Sequence, residues 1–319
     1  MQTLQMRSYF EGFWATWLLH VGRELRLFEG LREQTLRPEE LAENLGYEPA
    51  YTRVWCQAAR SFDFLSGSEQ EGYRLSESCA EWLPKTGAWA TTYVRVSQRV
   101  FESMGAVFEG KAFPEPNLSL RMLLRDGLRT SYEWLWTELV QEVPQLLEKL
   151  QSGGRLIEFG CGTGCGLELL REHHPELELT GIELDYDCAR EAERATKAVI
   201  VVGSAEESRY ESRFDLAVFH RSLSECENPQ RAIERAAACL RPGGLLVISS
   251  EAEVHESGDA PSRLRMGERF FYHMFLAAEA LNSLTMDQIR QWCRESGLEE
   301  VAYFPHPVLG SPTVICAKA

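Results

Sequence analysis

The stretch RLIEFGCGTGCGLELL, residues Arg155 to Leu170, decides the fold of this chain. It starts as a short apolar run typical of a buried strand and continues, after a glycine-rich turn, as a helix pattern. Such a turn between a strand and a helix is the usual ligand-binding turn of doubly wound α/β sheets. Glu158 lies two residues before the first glycine, so a negative charge stands at the strand end of the turn.

The residues after this turn alternate between strand and helix patterns. The apolar segments GIEL, AVIVVG, FDLAVF and LLVISS are separated by segments with helical spacing, which indicates a parallel, doubly wound sheet. RPGG (residues 241–244) is expected to end the helix before the last of these strands. Near the end of the chain, LEEVAYFP and PTVICAK are predicted to pair antiparallel at the sheet edge. The sequence therefore predicts a Rossmann-like α/β fold.

The chain before the turn is helical and divides into two regions. Residues 1–92 combine three helix patterns with a polar hairpin, SGSEQEGYRLS, and predict a mainly helical, winged-helix-like domain. Residues 93–319 form the second domain, in which residues 93–151 precede the sheet as a helical cap. Trp14 and Trp17 lie at helical spacing with other apolar residues, which predicts a dimerisation face on the first helix.

A winged helix can also bind DNA, but charge disfavours that function here. Residues 1–80 hold eight Lys and Arg against twelve Asp and Glu, and the formal net charge of the chain is −15. Nucleic-acid affinity depends on neutralising phosphates, so we expect no nucleic-acid partner. No apolar run approaches the roughly 18 residues of a membrane span. The first residues lack a signal-peptide layout, and the nine cysteines lack framework spacing, so we expect a cytoplasmic protein with free thiols.

The spacing of the glycines excludes two common phosphate-binding turns. A GxGxxG fingerprint beginning at Gly160 would need glycine at Cys165, and no Lys or Arg follows the glycines as a P-loop requires. Glu158 would repel a pyrophosphate and attract a positively charged ligand. Glu183 ends the next strand, where an acidic side chain accepts both ribose hydroxyls. An ammonium group near the turn and a ribose at the second strand describe S-adenosylmethionine (SAM).

The motifs IEFGCGTG, GIELD, FDLAVF and LRPGGLLVIS, in this order, resemble those of class I SAM-dependent methyltransferases. The N-terminal pattern and LTMDQIRQWCRESGL make the chain similar to the dimeric small-molecule O-methyltransferases. This resemblance implies a seven-stranded sheet with an antiparallel last strand, a homodimer, and SAM as cofactor with S-adenosylhomocysteine (SAH) as product. It places these residues at the cofactor: Glu158, Gly160, Gly162, Gly164, Glu183, Leu184, Ser204, Ala205, Phe219 and His220.

The resemblance fails at the general base. Plant-type relatives carry a basic His in a Leu-His-Asp-Trp segment, and Ser224 stands at that position here. The candidate catalytic residues are therefore His220, Glu225 and His273. Family members build the wall of the acceptor pocket from the helical cap and from the helix after the fifth strand. The side chains expected there are Phe101, Met104, Trp134, Trp136, Phe271, His273 and Met274.

Three functions remain open at this point. The first is methyl transfer to a small, aromatic or polycyclic acceptor, with oxygen favoured and carbon, nitrogen or sulfur possible. The second keeps the SAM site but catalyses hydroxylation, decarboxylation or a pericyclic step, since the usual base is missing. The third is a SAM-sensing DNA-binding regulator. Glu251, Glu253 and His255 could hold a metal, but their alternation favours a solvated loop, so we expect no metal.

Overall fold

The computed structural model of this protein describes residues 2–101, 104–109, 111, 118–250, 266–267, 270–271, 284–305 and 311–319. The chain separates into two compact units, Met1–Arg99 and Val100–Ala319. The domain boundary predicted from the sequence, between residues 92 and 93, lies inside a continuous helix, Glu77–Phe101.

The first unit is mainly helical. Its elements are α1 (Gln2–Glu24), α2 (Leu27–Gly30), α3 (Pro38–Leu45), α4 (Pro49–Ser61), the antiparallel pair β1 (Leu65–Ser68) and β2 (Gly72–Leu75), and α5 (Glu77–Phe101). Pro38 lies in the first turn of α3, and Gly46 ends that helix in the left-handed conformation. The core of this unit includes Leu27, Phe28, Leu41, Trp55 and Phe64.

The first helix leaves a row of aromatic side chains outside this core. The exposed fractions of these residues lie between 44% and 59%: Tyr9, Phe10, Phe13, Trp14 and Trp17. Leu18 and Val21 on the same helix pack partly against the core. The helix is therefore apolar both toward the core and toward solvent.

The second unit is built on a mixed sheet. Its strands are β3 (Arg155–Phe159), β4 (Glu178–Glu183), β5 (Val199–Val202), β6 (Phe214–His220), β7 (Leu240–Ser249), β8 (Leu298–Phe304) and β9 (Thr313–Lys318). Within the described residues the sheet has seven strands in the order β5-β4-β3-β6-β7-β9-β8. Strand β9 runs antiparallel to both of its neighbours, and the β3–β7 pairs are parallel. The predicted Rossmann-like sheet with an antiparallel last strand is confirmed.

Helices cover both faces of this sheet, as a doubly wound fold requires. The described helices of this unit are α6 (Met104–Phe108), α7 (Leu118–Glu133), α8 (Pro144–Gln151), α9 (Cys165–His173), α10 (Tyr186–Thr196), α11 (Pro229–Cys239) and α12 (Met286–Glu295). One core cluster packs residues of α8, α9 and α10 against one face of the sheet, and a second packs α11 and α12 against the other. Helix α12 begins with a capping box between Thr285 and Gln288.

The segment RPGG does more than end a helix. Helix α11 ends at Cys239, and β7 begins at Leu240, so residues 241–244 belong to the irregular start of the strand. The pairing of β6 with β7 shifts register between Phe214 and Leu216 at this point. Gly243 has a φ of 72°, a conformation that glycine adopts at little cost, and this permits the bulge.

Two further observations concern the chain as a whole. All nine cysteines are free thiols, eight of them buried, as the sequence predicts. No helix in the described part of the chain is long and apolar enough to cross a membrane.

Candidate active site

The glycine turn follows β3 at the carboxyl edge of the sheet. Gly160, Gly162 and Gly164 have φ values of 68°, 54° and 81°, a left-handed region that other residues rarely adopt. A Cβ atom built on Gly164 would lie 2.9 Å from the Cα of Ala192 in α10. A Cβ atom built on Gly162 would have no described atom within 4 Å. The backbone at Gly162 therefore borders open space, where a ligand could lie against it.

Glu183, the last residue of β4, holds this turn in place. One carboxylate oxygen, Oε2, accepts a hydrogen bond from the Gly162 backbone N–H at 2.7 Å, and Oε1 accepts one from the Asp185 N–H at 2.9 Å. Burial raises the pKa of Glu183, and the two backbone donors and the charge of Arg121 oppose that rise. Each carboxylate oxygen retains a lone pair, so Glu183 could also accept bonds from two adjacent hydroxyl groups.

The residues predicted to flank an adenine lie around this strand end. Leu184, directly after Glu183, is 72% exposed, and its side chain presents an apolar surface. Ser204 begins the short helical turn Ala205–Glu207, and its Oγ accepts the Glu206 backbone N–H at 3.2 Å. Ala205 is buried. The Ser204 hydroxyl also contacts the Glu206 carboxylate, so it is already engaged within its own turn.

Glu158, near the end of β3, is the most deeply buried acid of the site. Its exposed fraction is 1%, and the Tyr132 hydroxyl donates a hydrogen bond to its Oε1. The other oxygen, Oε2, has no hydrogen-bond partner among the described residues. Burial raises the pKa of Glu158 to about 8, the nearby charge of Glu183 adds to that rise, and the bond from Tyr132 opposes it. A buried polar atom without a partner is costly, so Oε2 is poised for a ligand donor.

His220 ends β6 beside this carboxyl. Its Nε2 lies 2.9 Å from the Ser131 Oγ, and its ring centroid lies 3.9 Å from that of Tyr132. Burial, with the charge of Arg221, holds the pKa of His220 well below its usual range. The imidazole is therefore neutral near pH 7. In the described part of the chain, Nδ1 has no hydrogen-bond partner.

The pleat of the strands explains why Glu158 and His220 lie together. Successive side chains of a strand point to opposite faces of the sheet. Glu158 pairs with Val218 across β3 and β6, and His220 lies two residues beyond Val218 on the same face. Phe219 lies on the opposite face, where it is fully buried and stacks on Phe159 with centroids 4.9 Å apart. The prediction that the Phe219 side chain borders the cofactor is corrected accordingly, because it packs in the core.

Helix α7 supplies contacts that the sequence did not predict. Ser131 and Tyr132 in its last turn reach His220 and Glu158. Arg125 donates to the Thr163 carbonyl within the glycine turn at 2.8 Å and pairs with Glu168 at 2.6 Å. A π-helical turn, residues 134–138, follows α7 directly, and such turns are frequent at functional sites. The sequence signal was an aromatic cluster, which predicts packing as readily as a binding site.

Glu225, a candidate base, is held in an ion pair. Arg121 of α7 approaches both of its oxygens, at 3.0 Å to Oε2 and 3.4 Å to Oε1. Glu225 would have to leave this pair to take a proton from an acceptor. Ser224, which occupies the position of the family's basic His, is half-buried in the short helical turn Leu223–Glu225. Of the described candidates, His220 is the one that is not held in an ion pair.

The residues predicted to line the acceptor pocket fall into three groups. Phe101 and Met104 are exposed, by 71% and 37%, and Phe271 is half-buried. Trp134 and Trp136 are buried in the core cluster on the α8–α10 face of the sheet, which favours packing over contact with an acceptor. His273 and Met274 lie outside the described residues, as do the residues considered for a metal, Glu251, Glu253 and His255. The described residues hold no cluster suited to a metal ion.

The donor set fits an adenosyl ligand that carries a positive charge. Glu158 offers a buried carboxyl oxygen without a partner, suited to an ammonium group. Gly162 offers backbone next to open space, and Glu183 offers two acceptors at hydroxyl spacing. A pyrophosphate would meet two acidic side chains here, so nicotinamide dinucleotides and nucleoside triphosphates fit poorly.

Comparison with known protein families agrees with this chemistry. The family described as methyltransferase domain matches residues 132–303. The family described as O-methyltransferase dimerisation domain matches residues 7–85. The first match covers more than half of the chain and includes the glycine turn, Tyr132, Glu158, Glu183 and His220.

Individual relatives are distant. A 3-hydroxy-5-methyl-1-naphthoate 3-O-methyltransferase from Streptomyces sahachiroi is 24% identical over 91% of this chain and 88% of its own length. An uncharacterised protein from Synechococcus is 23% identical over 65% of this chain, a match that spans 54% of that protein. The structure of human N-acetylserotonin methyltransferase in complex with SAM superposes with a TM-score of 0.72 at 14% identity, covering 100% of this chain and 98% of that chain. At this identity the superposition shows the fold alone.

Proposed function

This chain belongs to the methyltransferase-domain family, and from that premise we propose that it transfers the methyl group of SAM to a small acceptor, with oxygen as the favoured acceptor atom. One observation carries the proposal. Two acidic side chains, Glu158 and Glu183, stand at the ends of neighbouring strands on either side of an open glycine turn. This arrangement suits a cationic amino-acid tail and a ribose in one ligand.

The cofactor, when bound, supplies an activated methyl group on a sulfonium. The residues of this chain then have two tasks, to orient the acceptor and to take up its proton. Alignment of the reacting atoms supplies much of the rate enhancement in such a displacement. His220 is the proposed proton acceptor, because its imidazole is neutral, lies at the end of β6 and is hydrogen-bonded to Ser131. The Arg121–Glu225 pair is proposed to bound the site on the α7 side.

The acceptor class is proposed as aromatic or polycyclic. Phe101 and Phe108 expose their rings, by 71% each, and the Phe108 ring lies 6.4 Å from that of Phe270. Exposed aromatic faces suit a flat apolar ligand. The name of the Streptomyces sahachiroi relative, a naphthoate O-methyltransferase, supports the same class.

The first unit is proposed to be a winged-helix-like dimerisation domain, and the protein to be a homodimer that acts in the cytoplasm. The exposed aromatic row of α1 and the match to an O-methyltransferase dimerisation domain support this assembly. The excess of acidic residues in this region argues against a SAM-sensing DNA-binding regulator. Ser224 at the position of the family's base keeps a non-methylating SAM-dependent reaction as the second candidate.

The test combines binding with turnover. Calorimetry should detect SAH binding and no comparable binding of NADH or ATP. Incubation with SAM and a panel of phenols and naphthols should yield SAH and an acceptor heavier by one methylene unit. Oxidised or decarboxylated product without added methyl would favour the second candidate, and binding of NADH or ATP in place of SAH would refute the proposal.

A substitution at His220 tests its role as the proton acceptor separately. His220→Gln should lower kcat by about 10²-fold or more, as loss of a general base does, with the SAH Kd little changed. His174→Gln, at the end of α9 and outside the site, is the matched control and should retain kcat. An unchanged kcat in His220→Gln would remove His220 from the mechanism and leave the methyltransferase proposal standing.

A further inference from the structure

The described groups that interact with Glu158 are acidic or neutral, and the charge of Arg221 acts on the neighbouring His220. The titratable groups that face it are Tyr132 from α7, Glu183 from β4, Cys161 and Cys165 from the glycine turn and α9, and His220 from β6 beside Tyr132. None of these is a cation near pH 7. In the described part of the chain, no Lys or Arg forms a hydrogen bond or ion pair with Glu158.

Two arginines of α7 that reach the site have other partners. Arg121 pairs with Glu225, and Arg125 with Glu168 and the Thr163 carbonyl. An ionised carboxyl that is 1% exposed and has one unpartnered oxygen is strongly disfavoured, because burial penalises the charged form. The direction of the pKa of Glu158, raised to about 8, agrees with this geometry.

The contact between Tyr132 and Glu158 depends on a small residue in α9. A Cβ atom built on Gly166 would lie 2.4 Å from the Tyr132 ring and 2.9 Å from Glu158 Oε1. Only the absence of a side chain at Gly166 lets the phenol reach the carboxyl. Tyr132 is itself 4% exposed, and the π-helical turn begins two residues later, at Trp134.

We propose that burial keeps Glu158 as a proton-bearing acid in the ligand-free protein, that Tyr132 is a positioning residue that holds one oxygen of this carboxyl, and that the cofactor's ammonium group expels the proton on binding. The inference rests on the proposed function, because it needs a ligand with an ammonium group. On binding, the O–H bond of the Glu158 carboxyl breaks, the proton passes to solvent, and the carboxylate accepts a hydrogen bond from the ammonium. No oxidation or reduction takes place.

The sign of the pH dependence follows from this competition. Below the pKa of Glu158 the ligand must displace a proton, so the Kd for SAH should fall about tenfold for each pH unit from pH 6 toward 8. Above about pH 8 the carboxyl is already ionised, and the Kd should become flat. The hydrogen bond from the Tyr132 hydroxyl favours the ionised form of Glu158. Its removal should therefore raise the pH at which the Kd becomes flat.

Isothermal calorimetry of SAH at pH 7, in buffers of different ionisation enthalpy, counts the protons released. We expect close to one proton per SAH bound. 5′-Methylthioadenosine, which has the nucleoside but no ammonium group, should bind without proton release. Equal proton release by both ligands would assign the proton to another group and overturn the inference.

Substitutions at Glu158 and at Tyr132 test whether the released proton comes from Glu158. Glu158→Gln should bind SAH more weakly, with no proton release and a flat Kd between pH 6 and 8. Tyr132→Phe should still release a proton on SAH binding, but its Kd should become flat at a higher pH than that of the unchanged protein. The matched control is Tyr210→Phe, whose ring packs on Phe214 away from the site, and its pH profile should equal that of the unchanged protein.

The outcomes separate the inference from the function it rests on. If SAH binds and the unchanged protein shows neither proton release nor a pH-dependent Kd, the inference is overturned and the proposed function stands. If SAH does not bind at all, the proposed function fails, and the inference with it. If Tyr132 had only a structural role, Tyr132→Phe would change the melting temperature but not the pH at which the Kd for SAH becomes flat.

Discussion

Gly162 and Gly164 share a left-handed backbone but have different neighbours. A side chain at Gly164 would press on Ala192 and Thr196 of α10, whereas one at Gly162 would enter the space next to the turn. The two residues therefore serve different purposes. Gly164 lets α9 and α10 approach each other, and Gly162 leaves room for a ligand against the backbone.

Alanine at each position should separate these purposes. Both variants should lose about 1–2 kcal/mol of stability from the left-handed backbone, and Gly164→Ala about 1–3 kcal/mol more from overpacking. Gly162→Ala should lose less stability than Gly164→Ala but should raise the SAH Kd more. Denaturant titration and calorimetry measure the two effects. Equal stability losses, with unchanged SAH binding in Gly162→Ala, would contradict this division.

Helix α7 is the element that joins the parts of the site. Arg121, Arg125 and Arg129 follow one another at four-residue spacing, so they lie on one face of the helix. Arg121 reaches the turn after β6, Arg125 reaches the glycine turn, and Arg129 reaches α9 through Glu172. Tyr132 at the end of the helix reaches β3. A displacement of α7 would therefore disturb the ends of β3 and β6 together.

Arg125 provides the clearest test at this scale. Arg125→Met keeps the apolar stem but loses the bond to the Thr163 carbonyl, and should weaken SAH binding about tenfold, as loss of one charge-assisted hydrogen bond does. Arg129→Met is the matched control. Arg129 pairs with Glu133, Glu168 and Glu172, which are partly exposed, so its effect should be small. If both variants weaken SAH binding alike, the hydrogen bond from Arg125 to the Thr163 carbonyl does not position the glycine turn for SAH.

At the scale of the whole molecule, the exposed aromatic row of α1 needs a partner. Contiguous apolar surfaces of this kind on soluble proteins usually mark an interface, and homodimers are the commonest assembly. Trp14 is 52% exposed within this row. Trp14→Glu should convert the proposed dimer to a monomer, because it places a charge in an apolar interface.

Size-exclusion chromatography coupled to light scattering measures whether the dimer becomes a monomer. Circular dichroism checks that the variant is folded. The control is Val199→Glu, since Val199 is 63% exposed but lies on the edge strand β5 of the second unit. It should leave the oligomeric state unchanged. A monomeric unchanged protein, or a dimer that survives Trp14→Glu and dissociates in Val199→Glu, would refute a dimer formed through α1.

Local pattern alone determined the order of elements in this chain. Buried strands read as apolar runs, and glycines mark the turn, because these signals depend only on neighbouring residues. The same signals put Glu158 and Glu183 at the ends of β3 and β4, which in a parallel sheet lie at one edge. The resemblance to methyltransferases then rested on several motifs in order. The predicted roles of Leu184, Ser204 and the acceptor-facing residues stay predictions.

Only the tertiary structure decided which side chains complete the site. Tyr132 meets Glu158 across 26 residues, Ser131 meets His220 across 89, and Arg121 meets Glu225 across 104. No local periodicity encodes such pairs, since they depend on how α7 packs against the sheet. The same packing takes Trp134 and Trp136 into the core, while strand alternation turns Phe219 to the opposite face of the sheet. Sequence periodicity describes one element at a time, whereas a binding site forms where several elements meet.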